Sequence, residues 1–165
     1  SKPHADRTLS TRRHAVCARH LGLIVLLMAL VSCAGTPPSN LGVHDGRLSP
    51  CSRRPNCVSS DATDAEHAIP PLVLRVPAAD GWVAARSVVT GLARTRLITD
   101  APDYLRAECR SALLGFVDDL ELHLRAQDGV IAVRSASRLG HGDLGVNRRR
   151  VEALRVALVE RGVID

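Results

Sequence analysis

Residues 115–155 read GFVDDLELHLRAQDGVIAVRSASRLGHGDLGVNRRRVEALR, and the periods within this stretch decide the fold class. From Phe116 to Arg125 the side chains alternate, with Leu120, Leu122 and Leu124 on one side and Asp119, Glu121 and His123 on the other. Alternation with period two marks a strand with two unlike faces. Val130 to Arg138 repeats the pattern, with Ile131 and Val133 opposed to Arg134 and Arg138. Asp128-Gly129 lies between the two runs, a dipeptide suited to a type I′ hairpin because that turn needs positive φ twice. A two-residue turn there predicts Asp119 opposite Arg138 and His123 opposite Arg134. Asp118 falls on the other side of the strand from Asp119 and Glu121.

The glycine-rich run Leu139–Asn147 breaks regular structure. A helix follows, with Asn147 or Asp143 as its N-cap, Val151, Leu154 and Leu158 as its apolar stripe, and Gly162 as its stop. It opens on Arg148-Arg149-Arg150, and cations at a helix N-terminus oppose the macrodipole by about 0.3–1 kcal/mol each. Such a placement calls for a compensating anion, either a protein carboxylate or a ligand.

Upstream, Tyr104–Ser111 alternates Arg106, Glu108 and Arg110 with Leu105, Ala107 and Cys109, and reads as a further strand. Arg94–Thr99 is another, followed by the turn Asp100–Asp103, and Ile69–Val76 is a first strand. Asp80 caps a predicted helix over Gly81–Leu92, with Trp82, Ala85, Val89 and Leu92 at helical spacing. The order β-α-β-β-β-β-α predicts an α+β fold. Its form is a two-layer sandwich: an antiparallel sheet of about five strands with two helices on its apolar face. The other face carries charges throughout, among them Asp119, Glu121, Arg134 and Arg138.

The first residues are an address rather than a fold. Arg7, Arg12, Arg13 and Arg19 precede an apolar run, Leu21–Val31. At about a dozen residues that run is short for a bilayer span and suits a secretory signal. It ends in Leu30-Val31-Ser32-Cys33, which resembles the lipobox of bacterial lipoproteins, where the cysteine becomes the acylated first residue. An ordinary signal peptide or a membrane anchor is the alternative. With Ala34 rather than Asp after the cysteine, the resemblance implies the outer membrane, with the domain on its periplasmic side. The expected organisation is a signal over 1–32, a lipidated N-terminus and flexible tether over 33–48, and one domain over 49–165. Membrane attachment through Cys33 is the first expected partnership.

The leader also accounts for the charge. Lys2, Arg7, Arg12, Arg13 and Arg19 against Asp6 give +4 of the net +5, leaving the rest of the chain near neutrality. The basic balance is therefore no argument for nucleic acid, and aromatic residues are too few, at 2%, to supply stacking platforms. Cys51 and Cys57, six apart with Pro50 before the first and Pro55 between them, predict a small disulfide loop in an oxidising compartment. A metal or redox site is the alternative, but the spacing is not Cys-x-x-Cys, and no metal or cofactor is expected. Cys109 is left as a buried free thiol.

The segments Pro50-Cys51…Pro55-Asn56-Cys57-Val58-Ser59-Ser60, Tyr104–Glu108, Gly115–Glu121, Val133–Arg138 and Asp143–Glu152 together resemble the bacterial family known as domain of unknown function 1499. The resemblance implies secretion or membrane attachment and brings no activity, cofactor or catalytic residue with it. The residues themselves support two readings. In the first, Ser135, Ser137, Arg138, Asp143, Asn147, Arg148 and Arg150 gather around an anion at the helix start, and the protein is a binding or envelope-associated module. Its partner would be an anionic small molecule, a lipid or an envelope protein. In the second, Asp119, Glu121, His123 and Arg138 serve a hydrolase-type or metal-assisted enzyme, which requires them to line one pocket. Against both stands a purely structural role for the charged face of Asp118, Asp119, Glu121 and Arg134 as ion pairs.

Overall fold

Three long antiparallel strands form the centre of the domain, as their alternation predicts. In the computed structural model, which describes residues 35–165, these are β6 (Tyr104–Arg110), β7 (Val117–Arg125) and β8 (Val130–Ser137). The expected signal segment over residues 1–32 and the expected acylation site Cys33 lie outside the described residues. β5 (Thr95–Asp100) flanks β6, and two short strands, β3 (Cys57–Ser59) and β4 (Leu72–Val73), lie end to end along the far edge of β8. The sheet is thus six-stranded and antiparallel. The expected strand Ile69–Val76 contracts to β4, and β3 supplies the rest of that edge. β1 (Val43–His44) and β2 (Arg47–Leu48) make a separate hairpin.

The helices α1 (Ala78–Gly91) and α2 (Val146–Glu160) both pack on the apolar face. There Trp82, Ala85, Val89, Val151, Leu154 and Leu158 meet Leu105, Leu120, Leu122, Ile131 and Val133 in one core. α1 starts earlier than expected. Pro77 occupies its N-cap, and Asp80 sits inside the first turn instead of capping it. α2 stops as expected: Gly162 takes φ 68°, its N–H donates to the Val159 carbonyl, and the Val163 N–H donates to that of Leu158. Those two bonds close a Schellman motif, with Val163 folded back onto the core.

The β7–β8 register differs from the expected one by two residues. Glu121 faces Arg134, Asp118 faces Ser137, and His123 faces Ala132. The loop holds four residues, Ala126–Gly129, and Asp128 and Gly129 donate to the carbonyls of Arg125 and Ala126. Only Gly129 takes a positive φ, at 66°, so the turn is not type I′. A shift of two leaves every side chain on its predicted face, whereas a shift of one would invert them all.

The charged face is not open to water. Residues 35–48, expected to be a flexible tether, belong to the same compact unit as the rest, Gly35–Asp165. Leu48 is buried, its N–H donates to Asp61 at 2.9 Å, and the Gly42 N–H donates to Glu121 on the sheet at 2.8 Å. No helix among the described residues is long and apolar enough to cross a membrane.

Cys51 and Cys57 form the expected disulfide, and Cys109 is free and buried. Because the bridge closes a short loop into the start of β3, the double variant Cys51→Ser, Cys57→Ser is expected to lose about 2 kcal/mol of unfolding free energy. Urea denaturation followed by circular dichroism measures this, and an unchanged midpoint would refute it.

Candidate functional site

The outer face of the sheet is a buried lattice of arginines and carboxylates. Glu121, with 0% exposure, accepts from Arg134 Nη1 at 2.7 Å, the Tyr104 hydroxyl at 2.8 Å and the Gly42 N–H at 2.8 Å. Asp119 accepts Arg138 in bidentate fashion, Nε and Nη2 each at 2.8 Å, and lies 3.6 Å from Arg106. Arg138 also reaches Glu108 at 2.6 Å. The predicted Asp119–Arg138 pair therefore exists, as a diagonal contact beyond the last paired residue of β8. Removing a lone charge from water is prohibitive, so burial of this kind requires each acid to carry its own base. The hydrogen bonds to Asp119 and Glu108 hold the Arg138 guanidinium firmly charged. Burial alone would raise Glu108, but the bond and charge of Arg138, with Arg110 and Arg106 nearby, leave it below its usual range. Burial, then the adjacent Glu121 carboxylate, push the Tyr104 phenol up and keep it neutral.

A second polar network lies on the helix side of the sheet. Asp118 accepts Arg150 Nη2 at 2.6 Å, and Arg150 Nη1 reaches Asn147 Oδ1 at 2.6 Å and Ser135 Oγ at 3.0 Å. The Ser135 hydroxyl donates to Asn147 at 2.7 Å, and both residues are fully buried. Asn147 in turn donates to Ser137 Oγ and to the carbonyl of Asn56. The anion at the start of α2 is Asp143, which accepts the Gly145 N–H at 2.9 Å, the Asn147 N–H at 2.7 Å and the Asn147 side chain at 2.8 Å. Burial would raise its pKa, but these donors outweigh burial and hold it below the normal carboxylate range. Arg148 donates to the carbonyls of Ala68 and Glu66, and Arg149 to that of Leu144. The arginine triplet is therefore satisfied from within the domain.

The seven residues expected around one anion accordingly fall on two sides of the sheet. Ser135, Ser137, Asp143, Asn147, Arg148 and Arg150 sit on or beside the helix side, and Arg138 projects from the opposite face. Alternation along β8 already carried that signal, since Ser135 and Ser137 share the parity of Ile131 and Val133. Asn56 was the residue that patterning missed. Its side chain donates to the Gly140 carbonyl at 3.0 Å and its own carbonyl receives Asn147, so it staples the disulfide loop to the segment before α2.

On the outer face a cleft of about 450 Å³ opens between the N-terminal segment, the disulfide loop and the end of β8. Asn56, Asp119, Arg134, Ser137 and Arg138 line it, with Pro38 and the Cys51–Cys57 bridge at its border. Arg134 is nearly buried at 5% exposure, and its Nε has no hydrogen-bond partner among the described residues. Asp119 alone of the three proposed acid–base groups lines this cleft; Glu121 is covered by Gly42, and His123 Nδ1 meets Arg125. Burial, then the Arg125 charge, lower the His123 pKa. No cluster of three His, Cys, Asp or Glu side chains is placed to hold a metal among the described residues.

Together these features define a class: a two-layer α+β domain that buries an ionic sheet face under its own N-terminal segment, with a polar cleft at the edge of that cover. Within it, the chain belongs to the family described as protein of unknown function, DUF1499, whose model matches residues 47–158. No curated protein and no solved structure matches the chain.

The helix-side network makes one prediction and a separate buried histidine, His67, makes another. Asp118→Ala is expected to cost roughly 3 kcal/mol, because it leaves the largely buried Arg150 guanidinium without its carboxylate. Adding Arg150→Met should then cost less than the sum of the two single changes, as a double-mutant cycle in urea would show. His67 gives the second. Burial alone would lower its pKa, but Arg54's carbonyl at Nε2 and Asp64's carboxylate at Nδ1 leave it above 6.5. A raised folded pKa means stability present below pH 6.5 and lost as pH rises through the folded value. His67→Gln should flatten that slope in thermal melts taken from pH 5.5 to 8.5, a range of about 3 units around the normal histidine pKa.

Proposed function

We propose that the protein is an outer-membrane lipoprotein, acylated at Cys33, whose domain stands on the periplasmic side and binds an anionic group in the cleft beside Arg134. The observation that carries the binding role is Arg134 itself: nearly buried, lining the cleft, bonded to Glu121 through Nη1, and with Nε lacking a partner among the described residues. A guanidinium offers its donors as a fork that matches carboxylate and phosphate oxygens, and a buried donor left unpaired is unfavourable by about 1–3 kcal/mol. An incoming oxyanion would relieve that penalty. Asn56 and Ser137 border the cleft, with their side chains already engaged by Gly140 and Asn147, so Arg134 is the group that would hold the anion. A phosphate-bearing lipid, a cell-wall carboxylate or an acidic loop of an envelope protein would all present this chemistry. The lipobox residues Leu30-Val31-Ser32-Cys33 support the anchor.

The test uses the full protein extracted from membranes in mild detergent. Inorganic phosphate and acetate are titrated in turn while the melting temperature and the native mass are followed. One of the two anions is expected to raise the melting temperature and to appear as an adduct. Arg134→Lys keeps a charge for Glu121 but removes the fork, and should weaken that binding about tenfold or more. An equal response from wild type and variant would refute the cleft as the site. Mapping of the N-terminal peptide checks the anchor separately, through a diacylglyceryl mass on Cys33.

A further inference from the structure

The antiparallel register brings two loops to one end of the sheet. Arg110 pairs with Val117 and Asp118 pairs with Ser137, so the β6–β7 loop (residues 111–116) and the β8–α2 connection (residues 138–145) emerge together. Both carry large apolar side chains exposed to solvent. Leu113 is 92% exposed and Leu144 93%, and Leu114, Phe116, Leu139 and Val146 are exposed around them. Isolated surface leucines are unremarkable, but five large apolar side chains on neighbouring loops, with Val146 at the start of α2, expose an apolar end of the sheet that calls for an occupant.

Two observations identify that occupant. The first is where the chain enters the domain. The Gly35 backbone packs against this same end: a Cβ there would lie 3.0 Å from Arg138 Cβ and 3.1 Å from Leu139 Cγ. Cys33 is two residues upstream, so covalent geometry alone limits its distance from Gly35 to about 7 Å. The second is charge. Exposed Arg94, Arg110 and Arg149 lie on or beside these loops, and the one acid within them, Asp143, is engaged by Gly145 and Asn147. Exposed leucines and a phenylalanine rimmed by arginines suit the interfacial zone of an anionic bilayer.

We infer that this end of the domain rests on the membrane, with Leu113 and Leu144 inserted among the acyl chains and the arginines at the headgroups. The inference rests on acylation at Cys33 and adds a fixed orientation to it. The acyl chain and the loops then act as two membrane contacts joined by a very short link, and the second gains from the proximity that the first creates.

Single cysteines at Leu113, Leu144 and, as a control, Val83 on α1 are labelled with an environment-sensitive fluorophore in the full acylated protein; Cys109 is buried and Cys51 and Cys57 are bridged. The labelled proteins are reconstituted into vesicles of phosphatidylethanolamine and phosphatidylglycerol, with or without brominated acyl chains. The expected result is a blue shift and bromine quenching at positions 113 and 144, with neither at 83. Water-like emission at 113 and 144 in protein that floats with the vesicles would overturn the orientation and leave the anchor standing. Failure of the protein to float would overturn the anchor, and the orientation with it. Leu113→Glu, Leu144→Glu serves as a second check: flotation should persist while Arg110 becomes more accessible to trypsin, and unchanged cleavage would count against docking.

Discussion

Glu121 is the constraint on which the structure depends. It is a carboxyl group with 0% exposure in the middle of the central strand, and burying its oxygens there requires donors on several sides at once. It receives them from three separate parts of the chain: Arg134 on β8, Tyr104 on β6 and the Gly42 backbone in the N-terminal segment. Misplacing any of the three would leave a buried charge short of a partner. The lattice around it works in the same way, with Arg138 clamping Asp119 and Glu108 across β7 and β6. Arginine suits these positions because its rigid fork bonds two carboxylates without rearranging. Such pairs contribute modestly to net stability, since desolvation offsets most of their attraction. Their larger effect is on register, because a slip of β8 would separate Arg134 from Glu121.

The same constraint explains why β7 is buried on both faces. One face belongs to the apolar core beneath the helices. The other belongs to the lattice, and the lattice must itself be covered if its bonds are to be shielded from competing water. The hairpin of β1 and β2 and the segment before it provide that cover, with Leu48 as its buried anchor. The disulfide loop and Asn56 close one side. The cleft beside Arg134 is the place where this cover is incomplete.

Much of this was legible in the sequence, and the reasons differ from element to element. Alternation along β6, β7 and β8 gave the strands, their faces and the helix side, because it depends only on which residues are apolar. The same pattern could not distinguish a solvated charged face from a buried one. The clue lay in the balance of charges, since Glu108, Asp119 and Glu121 are matched by Arg106, Arg134 and Arg138. The turn at Ala126–Gly129 was misread because Asp-Gly also occurs where a single glycine at positive φ ends a longer loop. β3 was missed because three residues hold no readable period, and its place is set by pairing with β8 and by the disulfide. Residues 35–48 looked like a tether because they contain proline, glycine and serine and lack periodicity. Their order comes from long-range bonds to Glu121 and Asp61 that composition does not encode.

The arginine triplet at the start of α2 shows how far charge placement alone can carry a functional argument. Three cations at the positive end of a helix demand compensation, and the demand was real. The domain meets it internally, with Asp143 at the exposed N–H groups, Asp118 at Arg150 and main-chain carbonyls at Arg148 and Arg149. On the other face the accounting does not close among the described residues, where Arg134 Nε has no acceptor. What separates the two clusters is satisfaction rather than charge: both are rich in arginine, and one of them still lacks an acceptor. A site that evolved only to hold the sheet together would be expected to resemble the first. The second retains, among the described residues, an unmet bond beside a cleft, and that difference is what favours the binding reading proposed for it.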